Sequence, residues 1–217
     1  MGFGYLLYGF MMLVEVGLTV NAQYAVGIDI FPDLAGYLFM LAAARRLSDY
    51  SEYFEKFKIL LYPLIVLGGA EFALQITAAF VSELGAISSV LNIADNVQYP
   101  FQMIALVLAL KGIHSLAVDT EDEKIEKRST VAMTMCVCYY PLTILLILAR
   151  EFNIVGSFAS VFSAISICAN LLWYIFVIYS IVLIFRCYMY ICKEGDENMD
   201  SHKGFDPLGA LYRKLKK

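Results

Sequence analysis

The sequence has few of the residues that catalytic and metal sites use. It contains only two histidines, His114 and His202, and five cysteines. The cysteines lie in or beside apolar segments without the spacing of zinc ligands, so a Cys/His metal site has little support. A phosphate-binding loop, a nucleophile elbow and an H-E-x-x-H helix are also missing. We therefore expect a protein that is not an enzyme and that has no cofactor, no metal centre and no nucleic-acid partner.

Charged residues are also scarce, and their distribution indicates the class of protein. They make up 17% of the sequence, whereas hydrophobic residues make up 60%, against about 45–50% in an average soluble domain. The charges are confined to short stretches between apolar runs that reach the roughly 18 to 20 residues of a membrane helix. The first run lacks a basic start and a cleavage site, so we expect it to remain in the mature protein. The sequence predicts an all-α fold, a polytopic membrane helix bundle.

Six apolar runs are predicted to be transmembrane helices arranged as three hairpins. They cover residues 3–20, 31–47, 57–80, 86–110, 131–149 and 157–191. Residues 115–129 are predicted to form a charged loop. The connector 48–56 has an aromatic face, which indicates either a short interfacial helix or an extension of the third span. Residues 1–192 thus form a transmembrane domain, and 193–217 a hydrophilic cytoplasmic tail.

The basic residues predict the orientation of the spans, because cytoplasmic loops carry an excess of Lys and Arg. With the amino terminus inside, only Arg150 of the 16 basic residues falls outside. An odd number of spans would place either the charged loop or the basic tail on the wrong side. Both termini are therefore predicted to be cytoplasmic, in a plasma membrane.

The stretch before the second span departs from a helical pattern. It contains Gln23 and Asp29, and Pro32 and Asp33 follow at the start of the next helix. Proline suits the first turn of a helix, and an acid there favours the positive helix end. The chain between Val20 and Phe31 is therefore a candidate for irregular backbone that dips into the outer membrane, which requires a cover of protein or water.

Acids inside membrane segments are the main candidates for a functional site. A charge at a helix centre costs roughly 2.5–3.5 kcal/mol, so each acid there calls for an explanation. Counting 1.5 Å per residue from the inner helix ends places these acids in one layer of the outer half of the bilayer. The predicted site for a solute, a cation or protons consists of Glu15, Asp29, Asp33, Glu71, Asp95 and Asn170.

Each acid also has a structural alternative. Asp33 can serve as a helix-end acid, and Asp29 and Asp95 as caps or interfacial residues. Glu15 and Glu71 can be protonated acids in hydrogen bonds between helices; the small residues at 68–70 would let another helix approach Glu71 closely. Neutralisation of one acid by the external arginine would make the cluster structural.

The segment I-D-I-F-P-D-L-A-G-Y at residues 28–37, followed by an apolar helix and Arg45-Arg46-Leu47, resembles a known motif. It is similar to the I-D-I-x-P-D-x-x-G-Y-x-L segment of uncharacterised multipass membrane proteins of Gram-positive bacteria, over residues 28–47 of 217. The resemblance implies a bacterial plasma membrane and brings no assigned activity. In length, number of spans and inside termini the chain also resembles the substrate-binding subunits of energy-coupling-factor vitamin transporters. Its first span lacks the small-residue pattern by which those subunits dock their partner.

Two functions are compatible with these patterns. The first is an integral membrane protein that binds or transports a small solute or cation through an outward-facing acidic cavity, alone or with a partner subunit. The alternative is a non-catalytic membrane scaffold or regulator that acts through its cytoplasmic loop and tail. In both cases the lipid bilayer is the main surrounding partner.

Overall fold

The computed structural model describes residues 2–14, 17–21, 26–29, 33–80, 85–151 and 159–195. In this part of the chain six helices and a short β-hairpin follow one another. Their bounds are α1 Phe3–Met12, β1 Gly17–Asn21, β2 Val26–Asp29, α2 Asp33–Leu47, α3 Glu52–Phe80, α4 Gly85–Asp119, α5 Glu123–Glu151 and α6 Ala159–Gly195. Each predicted span contains one helix, so the helical class of the fold is confirmed.

Four helices of the described chain are long and apolar enough to cross a membrane. The segments that meet this condition are Glu52–Thr77, Asn96–Asp119, Glu123–Ala149 and Ser160–Ile191. The helices α1 and α2 have only 10 and 15 residues. At 1.5 Å per residue they measure about 15 and 22 Å, less than a hydrocarbon core of about 30 Å.

The prediction of one helix over residues 3–20 is wrong beyond Met12. The Leu13 amide bonds the Phe10 carbonyl at 3.3 Å as the helix ends, and β1 then pairs antiparallel with β2, Gly17 opposite Asp29. A short apolar run with Val and Thr is compatible with helix or strand. Here the hydrogen bonds to β2 make residues 17–21 a strand. The all-α prediction missed this hairpin. Part of the backbone predicted to be irregular, residues 26–29, is a paired strand, while residues 22–25 and 30–32 lie outside the described chain.

The six helices form a closed ring in which neighbours run antiparallel. Each helix contacts the next one along the chain, and α6 contacts α1. Helices α1 and α2 approach most closely through small residues. A Cβ on Gly9 would lie 3.0 Å from the Gly36 carbonyl oxygen, and one on Gly2 would lie 2.6 Å from the Ala43 carbonyl oxygen. Such contacts are typical of helices packed without a hydrophobic driving force.

The turn between α4 and α5 is much shorter than the predicted loop 115–129, because most of that segment is helical. Glu121 has a φ of 55°, and the Asp122 amide donates to the Ala117 carbonyl at 2.9 Å, a pattern that ends many helices. The Asp122 carboxylate then caps α5 by accepting the Lys124 and Ile125 amides at 2.9 and 3.1 Å. The charges of this segment therefore lie on helix surfaces.

Most of the connector between α2 and α3 is also helical and continuous with α3. Helix α3 begins at Glu52, so the aromatic face belongs to an extension of the third span. Phe54 and Phe57 of this extension are fully buried. At the other end of the chain, α6 continues to Gly195, three residues into the segment predicted to be the tail.

Among the described residues, the buried side chains lie in one half of the ring. We call this half the basic end, because it carries Arg45, Arg46, Lys56, Lys111 and Lys127. In the other half, the open end, no described side chain is buried in residues 69–77 of α3, 141–149 of α5 or 160–168 of α6. Burial therefore stops at the same level in three helices, near Gly68, Tyr140 and Ala169.

The contact between α3 and α4 offers a test of the packed half. A Cβ on Gly112 would lie 2.8 Å from two ring carbons of the buried Phe54, whereas the nearest atom to a Cβ on Gly69 is Leu34 Cδ1 at 3.8 Å. Both glycines are helical, so alanine gives each the same propensity gain of about 1 kcal/mol. We expect Gly112→Ala to be less stable than Gly69→Ala by about 1–3 kcal/mol, from overpacking. Thermal unfolding in detergent measures this difference, and equal midpoints would contradict the packing.

Candidate functional site

Three polar side chains from α2 and α4 form a hydrogen-bonded network where burial stops. The Tyr37 hydroxyl donates to Asp33 Oδ2 at 3.2 Å. Gln98 Nε2 donates to the same carboxylate oxygen and to the Tyr37 hydroxyl oxygen, at 3.0 Å in each case. Tyr37 is 1% exposed and Gln98 5%. The network thus joins α2 and α4 through a partly buried hydrogen bond between side chains that are 65 residues apart in sequence.

The local sequence explains how these groups come together. Asp33 is the first residue of α2, where a carboxylate interacts favourably with the positive helix end. Tyr37 lies one turn later on the same face, within reach of Asp33. Gln98 precedes Pro100, which lies inside α4 and removes one backbone hydrogen bond from that helix. The helix end of α2 and the middle of α4 therefore meet at one level.

The amide of Gln98 has a fixed orientation. Its Nε2 must face Asp33, since the amide oxygen would be repelled by the carboxylate. Its Oε1 is consequently turned to other groups, yet this buried oxygen has no hydrogen-bond partner among the described residues. An unsatisfied buried acceptor costs about 1–3 kcal/mol. In a native protein such a group calls for an explanation, for example a bound ion or a water.

Glu71 of α3 lies on the other side of Tyr37. It is half-buried, accepts a hydrogen bond from Gln75 Nε2 at 2.8 Å and interacts electrostatically with Tyr37. One turn away, a Cβ on Gly68 would lie 3.3 Å from Tyr37 Cε2 and 3.4 Å from the Leu34 nitrogen. This confirms that the small residues beside Glu71 allow another helix to approach closely.

An aromatic cluster borders the network on α4, α5 and α6. Its members are Tyr99, Tyr139, Tyr140, Trp173 and Phe176. The ring centroids of Tyr139 and Trp173 are 4.9 Å apart, and those of Tyr99 and Tyr140 are 6.3 Å apart. Tyr140 is fully buried and close enough to Tyr37 and Asp33 to interact electrostatically with both. Its hydroxyl also has no hydrogen-bond partner in the described part of the chain.

Two of the six predicted site residues, Asp33 and Glu71, come together around Tyr37. Asp29 ends β2, a strand that contacts α3, and Asp95 lies on α4 one turn before Gln98. The side chains of both lie outside the described structure, as does the whole of Glu15. Asn170 is exposed on α6, so its side chain is not part of the buried network. The described residues include no group of three or more His, Cys, Asp or Glu that could hold a metal ion.

Tyr37 and Tyr140 are the site residues that sequence reasoning missed. Tyr139 and Tyr140 fit an aromatic belt at the membrane interface, but they are only 6% and 0% exposed. Tyr37 offered one signal, its position four residues after Asp33 on the same helix face. Tyr140 offered none beyond its place next to a helical proline, Pro141.

Comparisons of this chain with protein families, with curated proteins and with solved structures give no match. The function therefore has to be argued from the site itself, because a helical fold alone supports many functions.

The two buried tyrosines give a matched test of the network. The Tyr37 hydroxyl donates one hydrogen bond and accepts another, whereas the Tyr140 hydroxyl has no partner in the described structure. We expect Tyr37→Phe to lower the free energy of unfolding by about 1–3 kcal/mol, because buried partners lose their bonds. Tyr140→Phe should be neutral or slightly stabilising in ligand-free protein. Thermal unfolding of both variants in detergent checks this, and equal losses would count against the network.

Proposed function

We propose that this chain is a multipass plasma-membrane protein that binds a small solute or cation from the outside, as a transporter or transporter subunit. The site comprises Asp33, Tyr37 and Gln98, with Glu71 beside them. The basic end of the helix ring faces the cytoplasm, and the open end faces outward. The resemblance of residues 28–47 favours a bacterial membrane.

The distribution of basic residues supports this orientation. Arg45, Arg46, Lys56, Lys111 and Lys127 lie at one end of the ring, and cytoplasmic segments carry the excess of Lys and Arg. The two ion pairs of the described residues, Lys56–Glu52 at 3.3 Å and Lys127–Glu123 at 3.0 Å, are also at this end. Their exposure to water is compatible with a location outside the hydrocarbon core.

The first two crossings each combine a helix with a strand. Helix α1 and strand β1 together have a length of about 30 Å, and β2 with α2 about 35 Å, from the rise per residue of each element. Either length matches the roughly 30 Å of a hydrocarbon core. Strand edges are tolerated at membrane depth only against protein or water, and the contact of β2 with α3 supplies part of that cover.

The unpartnered Gln98 Oε1 is the observation that carries the binding function. It is a buried acceptor on the same amide group whose Nε2 donates to Asp33 Oδ2 at 3.0 Å. A cation or a donor-bearing solute would satisfy the oxygen and interact with the acid at the same time. Burial of the described side chains ends just beyond this level in α3, α5 and α6, and the proposed path of the ligand therefore leads from the open end.

The alternative function is a membrane scaffold or regulator that acts through its cytoplasmic loop and tail. Its cytoplasmic loop is reduced to the three residues between Asp119 and Glu123, and these cap the two helices. The tail beyond Gly195 lies outside the described residues.

Ligand-induced stabilisation tests the binding function. Protein purified in detergent would be heated with simple salts and with protonated amines, since a ligand of the folded state stabilises by about 2.7 kcal/mol at 100 times its Kd. We expect a hit that Gln98→Leu abolishes. Gln102→Leu serves as the control, because Gln102 is also buried, at 7% exposure, one turn along α4. No shift with any ligand, or equal shifts in both variants, would refute the site.

Labelling of the α4–α5 turn tests the orientation. Glu121→Cys in a cysteine-free background should react with a membrane-impermeant thiol reagent only after the membrane is permeabilised. Labelling of intact cells would place the basic end outside and contradict the proposed orientation.

Because Glu121 has a positive φ, Glu121→Gly should stabilise the protein by about 1 kcal/mol.

A further inference from the structure

The described residues contain three buried side-chain oxygens without a hydrogen-bond partner. These are Gln98 Oε1, the Tyr140 hydroxyl and Ser180 Oγ. Gln98 and Tyr140 lie at the same level of the ring. Tyr140 interacts electrostatically with Asp33 and Tyr37, and these are the two hydrogen-bond partners of Gln98. An amide oxygen can only accept a hydrogen bond, and a tyrosine oxygen can accept one as well.

The donors of the network are already in use. The Tyr37 hydroxyl and Gln98 Nε2 both donate to Asp33 Oδ2, so this oxygen acts as an acceptor, as a carboxylate oxygen does. The site therefore offers unsatisfied acceptors next to a negative charge. A complementary ligand has to bring a positive charge and satisfy both oxygens, either by metal coordination or through at least two hydrogen-bond donors.

The aromatic cluster decides between the two kinds of cation that meet this requirement. A hard metal ion takes six or more oxygen ligands, or keeps its waters, whereas the two unpartnered oxygens and the Asp33 carboxylate supply fewer than six. Aromatic rings, in contrast, surround Tyr140 beside the network: its ring centroid lies 6.3 Å from that of Tyr99 and 6.0 Å from that of Trp173. Aromatic faces attract organic cations and cover their apolar parts.

We infer that the ligand is an organic ammonium ion. Its nitrogen donates to Gln98 Oε1 and to the Tyr140 hydroxyl within the field of Asp33, and its apolar body packs against the aromatic cluster. This inference rests on the proposed function and names the class of ligand that the same site takes.

The test uses the full chain purified in detergent and a pair of probes that differ in charge. Phenethylammonium carries an ammonium group on an aromatic body, and 2-phenylethanol has the same body without the charge. We expect phenethylammonium chloride to raise the unfolding temperature in a saturable way, and 2-phenylethanol and equimolar sodium, potassium or calcium chloride to have no such effect.

Two hydroxyl deletions locate the nitrogen. Tyr140→Phe should weaken phenethylammonium binding about tenfold or more, because a hydrogen bond to a charged group is lost. Ser180→Ala removes the third unpartnered oxygen, which lies seven residues beyond Trp173 on α6, and should leave the affinity unchanged. Equal affinities in wild type and Tyr140→Phe would overturn the assignment of the nitrogen to this position.

The outcomes separate this inference from the function on which it rests. A saturable, Gln98-dependent response to an inorganic cation without a response to phenethylammonium would overturn the ligand class and leave the binding function standing. A response to neither would overturn both.

Discussion

The hydrogen bonds of Gln98 are the interaction on which the polar centre of this protein depends. A carboxylate at the end of a short helix is tolerated among buried side chains only when donors from the protein replace water. Gln98 supplies such a donor from α4, and Tyr37 supplies the second from the helix of Asp33 itself. One amide thereby fixes where α2 begins relative to α4. The same amide leaves its oxygen unsatisfied, so the group that stabilises the acid also creates the demand for a ligand.

The boundary between the packed and open halves follows from the distribution of small residues and prolines. At the basic end, glycines let α1 approach α2 and let Phe54 of α3 fill the space beside Gly112. Two helical prolines, Pro100 and Pro141, lie at the limit of burial. Each removes a backbone hydrogen bond, and helices bend most easily at such points. Bending of α4 and α5 is thus easiest at the level where burial ends, although a third helical proline, Pro63, lies within the packed half of α3.

The sequence was sufficient for the helices and insufficient for their ends. Long apolar runs have one stable form, so each of the six contains a helix. The run 3–20 failed because a strand partner, residues 26–29, competes with the helix and cannot be recognised from that run alone. The charged segment 115–129 failed for a related reason: its polarity was interpreted as a loop, whereas its charges lie on the surfaces of two helices.

The sequence predicted only those residues of the candidate site whose burial in a membrane costs free energy, namely the acids. Asp33 and Glu71 were identified because acids in apolar surroundings are rare and expensive. Tyr37 and Tyr140 could not be identified, since a tyrosine among apolar residues of a membrane helix looks the same in sequence whether its side chain faces lipid or the protein interior. Their roles depend on a contact between residues 33 and 98, which no local pattern encodes.

The position of the unsatisfied oxygen suggests how binding and movement are connected in the proposed transporter. Without a ligand, the Gln98 amide joins α4 to α2 through Nε2, and no hydrogen bond to Oε1 joins it to another described helix. A cation between Gln98 Oε1 and Tyr140 would join α4 to α5 as well, close to the prolines of both helices. Since a ligand favours the conformation that it binds more tightly, it would hold the two proline-containing helices together.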